Sequence, residues 1–195
     1  MFTAWVRKVF RGIIEPIARF LARLGFSANT LTILGALLTL ADSLLIAKGY
    51  LRIAGVVLIL SSSFDALDGT LARQTGGATR FGAFLDSVLD RVSEAAIFLA
   101  IAWWYMEQPG KIEEFLAYVT IVGSFLVSYA RARAEGLDID CKVGLFTRVE
   151  RALVLILALL FNLIAPALWL LAIGTVTTAI HRALHVYNVT RQRLA

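Results

Sequence analysis

The chain has 195 residues, of which 59% are hydrophobic and 17% charged, with a mean hydropathy of +0.77. A soluble globular domain carries about 25% charged residues, so this composition excludes an ordinary water-soluble fold and points to a bilayer. No stretch alternates in the manner of a membrane barrel strand, which leaves helices as the structures that satisfy their own backbone in lipid. One cysteine, Cys141, rules out an intramolecular disulfide and suits a cytosol-facing loop.

The first element expected is a helix over residues 1–25. Trp5, Val6, Phe10, Ile13, Ile14, Ile17 and Phe20 recur at helical spacing, with Arg7, Lys8, Arg11 and Arg19 elsewhere around the helix. That pattern suits an amphipathic helix in the anionic inner leaflet, and no cleavable leader is read there. Six apolar stretches of roughly spanning length follow, at 29–47, 51–72, 83–106, 112–130, 146–164 and 166–187. The fold class expected is therefore an all-α integral membrane protein. A six-helix bundle over 29–187 would form a single domain over 1–195, without repeats or linkers.

The basic residues choose an orientation. Of the 19 Lys and Arg, all but Lys48, Arg52 and Lys111 fall near the termini, the turn after the second span or the turn after the fourth. The positive-inside rule then places both termini and these turns in the cytoplasm of a cell membrane. The net charge of +5 is thereby explained without a nucleic-acid partner. Trp103, Trp104 and Tyr105 read as an aromatic belt at the opposite interface.

Four acids sit where burial is costly, about 2.5–3.5 kcal/mol each on insertion scales. Asp65 and Asp68 lie near the end of the second span, and Asp86 and Asp90 near the start of the third. Separations of three and four put each pair on one helix face, and the short turn at 74–79 makes the two helices antiparallel neighbours. Four ionised carboxylates together would repel strongly unless cations hold them. Oxygen ligands on rigid helices favour Mg²⁺, Mn²⁺ or Ca²⁺, two ions would balance four carboxylates, and the absence of His and Cys from the cluster argues against zinc. Gly69, Ala72 and Gly82 allow close approach, and Thr79 is placed to cap the third span. A proton relay, a structural polar network or a divalent-cation path would also use buried acids, but none of these needs the glycines and Arg73.

Read in order, Asp65-x-x-Asp68-Gly69-x-x-Ala72-Arg73, eight residues, Gly82-x-x-x-Asp86-x-x-x-Asp90 resembles the signature of the CDP-alcohol phosphotransferase family at every defined position. The resemblance implies an enzyme that transfers a phospholipid group from a CDP-diacylglycerol-type lipid, with Mg²⁺ as cofactor. It implies Asp65, Asp68, Asp86 and Asp90 as metal ligands, and Asp90 also as the catalytic base. Gly69 and Arg73 would hold the cytidine diphosphate, joined by Asn29, Thr30, Leu31, Thr32 and Thr79. A homodimer is implied as well.

Ser128-Tyr129-Ala130-Arg131-Ala132-Arg133-Ala134-Glu135 and Arg148-Val149-Glu150-Arg151 are similar to segments of the branch that makes phosphatidylinositol phosphate or archaetidylinositol phosphate. By that likeness Arg131, Arg148, Arg151 and Arg182 would bind the phosphate of a phosphorylated polyol such as 1D-myo-inositol 3-phosphate. One departure is that Arg131 stands where Lys is frequent, and Arg changes the donor geometry. Glycerol phosphate is the alternative acceptor. Asp42, Glu94, His181 and His185 are left without a catalytic role.

Overall fold

The computed structural model describes residues 2–77, 79–108 and 111–194, with side chains for 12, 14–77, 79–108 and 111–192. The described residues form seven helices and no strand: α1 Phe2–Arg23, α2 Ala28–Ala47, α3 Leu51–Thr75, α4 Arg80–Met106, α5 Ile112–Glu135, α6 Arg148–Phe161 and α7 Ile164–Leu194. They fall into two compact units, Met1–Ile97 and Phe98–Ala195. The amphipathic pattern expected for Trp5, Val6, Phe10 and Ile13 lies on side chains outside the described residues.

In the first unit α3 packs against α1 and α2. Ala18, Leu31 and Leu71 are fully buried where the three meet, with Leu21, Phe64 and Leu67 packed around them. Leu37, Leu44, Ile53, Val56 and Leu60 stay exposed, as lipid-facing residues should. Ser27 starts α2 by accepting the Thr30 N–H at 3.1 Å, which satisfies one of the orphan donors of a helix start. α3 ends on Gly76, whose φ of +66° is the left-handed geometry that favours glycine after a last helical turn. α2 and α3 approach closely at Gly35, where an added Cβ would lie 2.9 Å from the Cβ of Phe64.

Asp42 is fully buried on the same face of α2. Neither carboxylate oxygen has a hydrogen-bond partner among the described residues. An unsatisfied buried polar group costs about 1–3 kcal/mol, and an apolar replacement of the same shape removes that cost. Asp42→Leu, which exchanges two oxygens for two methyls, is therefore expected to raise the thermal unfolding midpoint in detergent and preserve activity. A lowered midpoint would show that Asp42 has a partner in the membrane.

In the second unit α7 packs against α5 and α6. Gly123 of α5 is buried so close to Thr175 of α7 that any side chain there would collide with it. Residues expected to span at 146–164 are helical only over Arg148–Phe161, 14 residues. That is about 21 Å of helix, short of a ~30 Å hydrocarbon core. The break comes at Asn162, with φ of +57°. Pro166 lies in the first turn of α7, where proline's missing N–H is tolerated. Among the described residues, Ala28–Ala47, Ile112–Glu135 and Ile164–Gln192 are long and apolar enough to cross a membrane. α3 and α4 have 25 and 27 residues, but their acids lower their hydropathy.

Candidate active site

The motif aspartates all fall in the first unit, on α3 and the first turns of α4. Asp68 is buried and accepts a 2.7 Å hydrogen bond from the Thr32 hydroxyl of α2, which also bonds Ala28 carbonyl one turn back. Asp65 and Asp86 both lie close enough to Asp68 to act on it through charge. Asp65 and Asp86 thus share the neighbourhood of Asp68. Asp90, one turn beyond Asp86 and 9% exposed, takes a 3.3 Å ion pair from its neighbour Arg91.

All the donors are hard oxygens, the chemistry that suits Mg²⁺ or Mn²⁺. Among the described residues, however, no three Asp, Glu, His or Cys side chains converge tightly enough to enclose an ion. The donor set fits a divalent cation, while Thr32 and Arg91 engage two of the four carboxylates.

The start of α4 is built as the sequence suggests. Thr79 caps it, accepting the Gly82 N–H on its hydroxyl at 2.9 Å, and its carbonyl accepts the Ala83 N–H at 3.1 Å. Gly82 has a more specific reason than spare room: an added Cβ would come within 2.7 Å of Asn29 Oδ1 and 3.0 Å of Thr79 Oγ1. Asn29 and Thr79 therefore meet over Gly82, and a side chain there would displace both. Gly69 sits under the guanidinium of Arg73, 3.4 Å from where its Cβ would be. Arg73 is exposed and anchored by a 3.0 Å hydrogen bond from Nη2 to Thr70 Oγ1. The Thr30 hydroxyl is engaged with Ser27 at 2.8 Å. Leu31 differs from its neighbours, because its side chain is core against Ala18 and Leu71. The Thr32–Asp68 bond joins residues 36 apart and has no local signal in the sequence, whereas Arg91 is the residue next to Asp90.

The basic residues expected to take an anion lie in the second unit. Arg182 is buried, donating from Nε to the Val143 carbonyl at 2.9 Å and from Nη1 to the Val127 carbonyl at 2.6 Å. Arg131 and Arg151 both lie within charge reach of Arg182. Arg151 is also buried and donates from Nη1 to the Phe146 carbonyl at 3.0 Å. Arg131 is exposed and paired with Glu135 at 2.8 Å, and Arg148 opens α6. Buried guanidinium groups that like charges would push apart are steadied here by carbonyl oxygens. Cys141 is fully buried against Ala134 and Ile139. Outside the helices, Lys142 donates to Asp140 at 2.9 Å, and this bond holds the Asp140 carboxyl below the usual carboxylate range.

Comparison with known proteins identifies the family. The family model described as CDP-alcohol phosphatidyltransferase matches residues 26–181. The archaetidylinositol phosphate synthase of Pyrococcus horikoshii is 38% identical, over 91% of this chain and 92% of that protein. The phosphatidylinositol phosphate synthase of Corynebacterium glutamicum is also 38% identical, over 90% and 84% of the two chains. Crystal structures of the Mycobacterium tuberculosis phosphatidylinositol phosphate synthase superpose with a TM-score of 0.84 at 33% identity. One has CDP-DAG bound, with 90% of this chain and 94% of that one covered. Another is in complex with manganese and citrate, with 90% and 89% covered. With its motif, its helices and its matched length in agreement, the chain belongs to the CDP-alcohol phosphatidyltransferase family.

Proposed function

We propose that this chain is a membrane enzyme that moves the phosphatidyl group of a CDP-diacylglycerol-type lipid onto a hydroxyl of 1D-myo-inositol 3-phosphate, releasing phosphatidylinositol phosphate and CMP. The observation that carries this reading is the pair of near-full-length relatives. Their names share an inositol phosphate product and differ in the lipid, so the acceptor is better supported than the tails. The gathered arginines Arg131, Arg151 and Arg182 support the same acceptor, because a phosphorylated polyol needs an anion site and a free polyol does not.

In this reading α2 to α7 are the six membrane helices, with the site and both termini cytoplasmic as the basic residues indicate, and the protein acts as a homodimer. Asp65, Asp68, Asp86 and Asp90 would hold Mg²⁺, which when bound neutralises pyrophosphate charge and steadies the leaving CMP. The chain's own residues do the rest. Arg73 pairs with the cytidine diphosphate, Gly69 leaves room beside it, and Asn29 and Thr79 line the start of α4. Asp90 accepts the proton of the attacking hydroxyl as that oxygen bonds to the lipid-linked phosphorus and the bond to CMP breaks. Arg148, Arg151, Arg182 and Arg131 hold the acceptor's phosphate.

The test is CMP release by purified protein offered inositol 3-phosphate, glycerol 3-phosphate, free inositol and serine in parallel, each with diacyl and diether CDP-lipids. Saturation at the lowest KM with inositol 3-phosphate is expected. Preference for glycerol 3-phosphate would make the chain a phosphatidylglycerophosphate synthase, and preference for free inositol or serine would overturn the anion-site reading. Faster turnover of the diether lipid would make it an archaetidylinositol phosphate synthase.

A further inference from the structure

The segment between α5 and α6, residues 136–147, contains no helix, yet α7 holds it at four places one turn apart. The ring of Phe146 lies over Gly174, 2.6 Å from where a Cβ would be. The Phe146 N–H donates to Thr178 Oγ1 at 3.2 Å. The Val143 carbonyl accepts from Arg182 Nε, and the Asp140 carbonyl lies 2.9 Å from His185 Nε2. Residues 174, 178, 182 and 185 share one stripe of α7, so the segment is laid along that stripe in register. Gly144 permits the fit in two ways. Its φ of +112° is open chiefly to glycine, and an added Cβ would collide with the Thr178 methyl.

Phe146 links this strap to the anion site. Its N–H is held by Thr178, while its carbonyl accepts from Arg151 Nη1. Thr178 is buried, as is Arg151, so neither group can exchange its partner freely for water. Thr178 itself bears no charge.

We propose that Thr178 is a positioning residue for acceptor recognition, fixing Phe146 so that its carbonyl orients Arg151 toward the acceptor's phosphate. This rests on the reading of the arginines as the acceptor site. Thr178→Val keeps the methyl against Gly144 and removes the hydroxyl that accepts the Phe146 N–H. It is expected to raise the KM for inositol 3-phosphate about tenfold, the equivalent of one lost buried hydrogen bond. The KM for CDP-diacylglycerol and kcat should stay within about twofold, and Thr178→Ser should restore the acceptor KM.

Arg151→Ala is measured beside it. If Arg151→Ala raises the acceptor KM and Thr178→Val does not, the positioning role is wrong and the anion site stands. If neither moves it, the anion site itself is wrong and the proposal falls with it. A Thr178→Val protein that loses kcat and both KM values together, without rescue by serine, would show a structural role only and overturn the proposal. Should Thr178→Val not fold, Thr178→Ala is read by the same criteria, with inhibition by inorganic phosphate as a second measure. A phosphate inhibition constant unchanged from wild type would contradict the proposal.

Discussion

Asp90→Asn is expected to lower kcat for CMP release by about a thousandfold, within the range a general base contributes. Asparagine keeps the shape of the side chain but can neither accept the hydroxyl proton nor bind a hard cation as a carboxylate does. Asp90 is buried at 9% exposure beside Arg91, so bulk water is poorly placed to substitute for it. Asp86→Asn should cause a comparable loss, because Asp86 is proposed to hold the same cation. The measurement is single-turnover CMP release, with folding checked by the thermal midpoint. Activity within tenfold of wild type in both variants would remove the aspartates from the chemistry.

Arg151→Ala should act on the other substrate. Removing one member of a buried, hydrogen-bonded charge set costs about 2–5 kcal/mol of binding, so the KM for inositol 3-phosphate is expected to rise by at least about thirtyfold. The donor KM should change little. Arg151→Lys should recover only part of the loss, because an ammonium cannot hold the Phe146 carbonyl and a phosphate with the planar fork of a guanidinium. An unchanged acceptor KM would mean that Arg151, with its bond to the Phe146 carbonyl at 3.0 Å, serves the fold alone.

What could be read from the sequence was local. Asp65 with Asp68, and Asp86 with Asp90, declare themselves by spacings of three and four on helices. Thr79 declares itself by its place ahead of α4, and its capping bond is present. Contacts between distant residues had no such signal. Thr32 meets Asp68 across 36 residues, and Arg182 reaches Val127 across 55. The strap of 136–147 along α7 rests on Gly144 and Thr178, which look unremarkable in isolation. Leu31 stands in a polar segment and was grouped with the nucleotide residues, yet its apolar side chain joins the core. α6 is shorter than the apolar stretch at 146–164 because the backbone turns at Asn162, in the left-handed region.

The proposed chemistry makes this chain a transferase that depends on a divalent metal held by Asp65, Asp68, Asp86 and Asp90. Its most direct test is CMP release by the purified wild-type protein from CDP-diacylglycerol and inositol 3-phosphate, before and after EDTA and then with Mg²⁺ restored. Release is expected to stop with EDTA and to return with Mg²⁺, with phosphatidylinositol phosphate formed one for one with CMP. Release indifferent to EDTA, or none with any divalent ion, would contradict it.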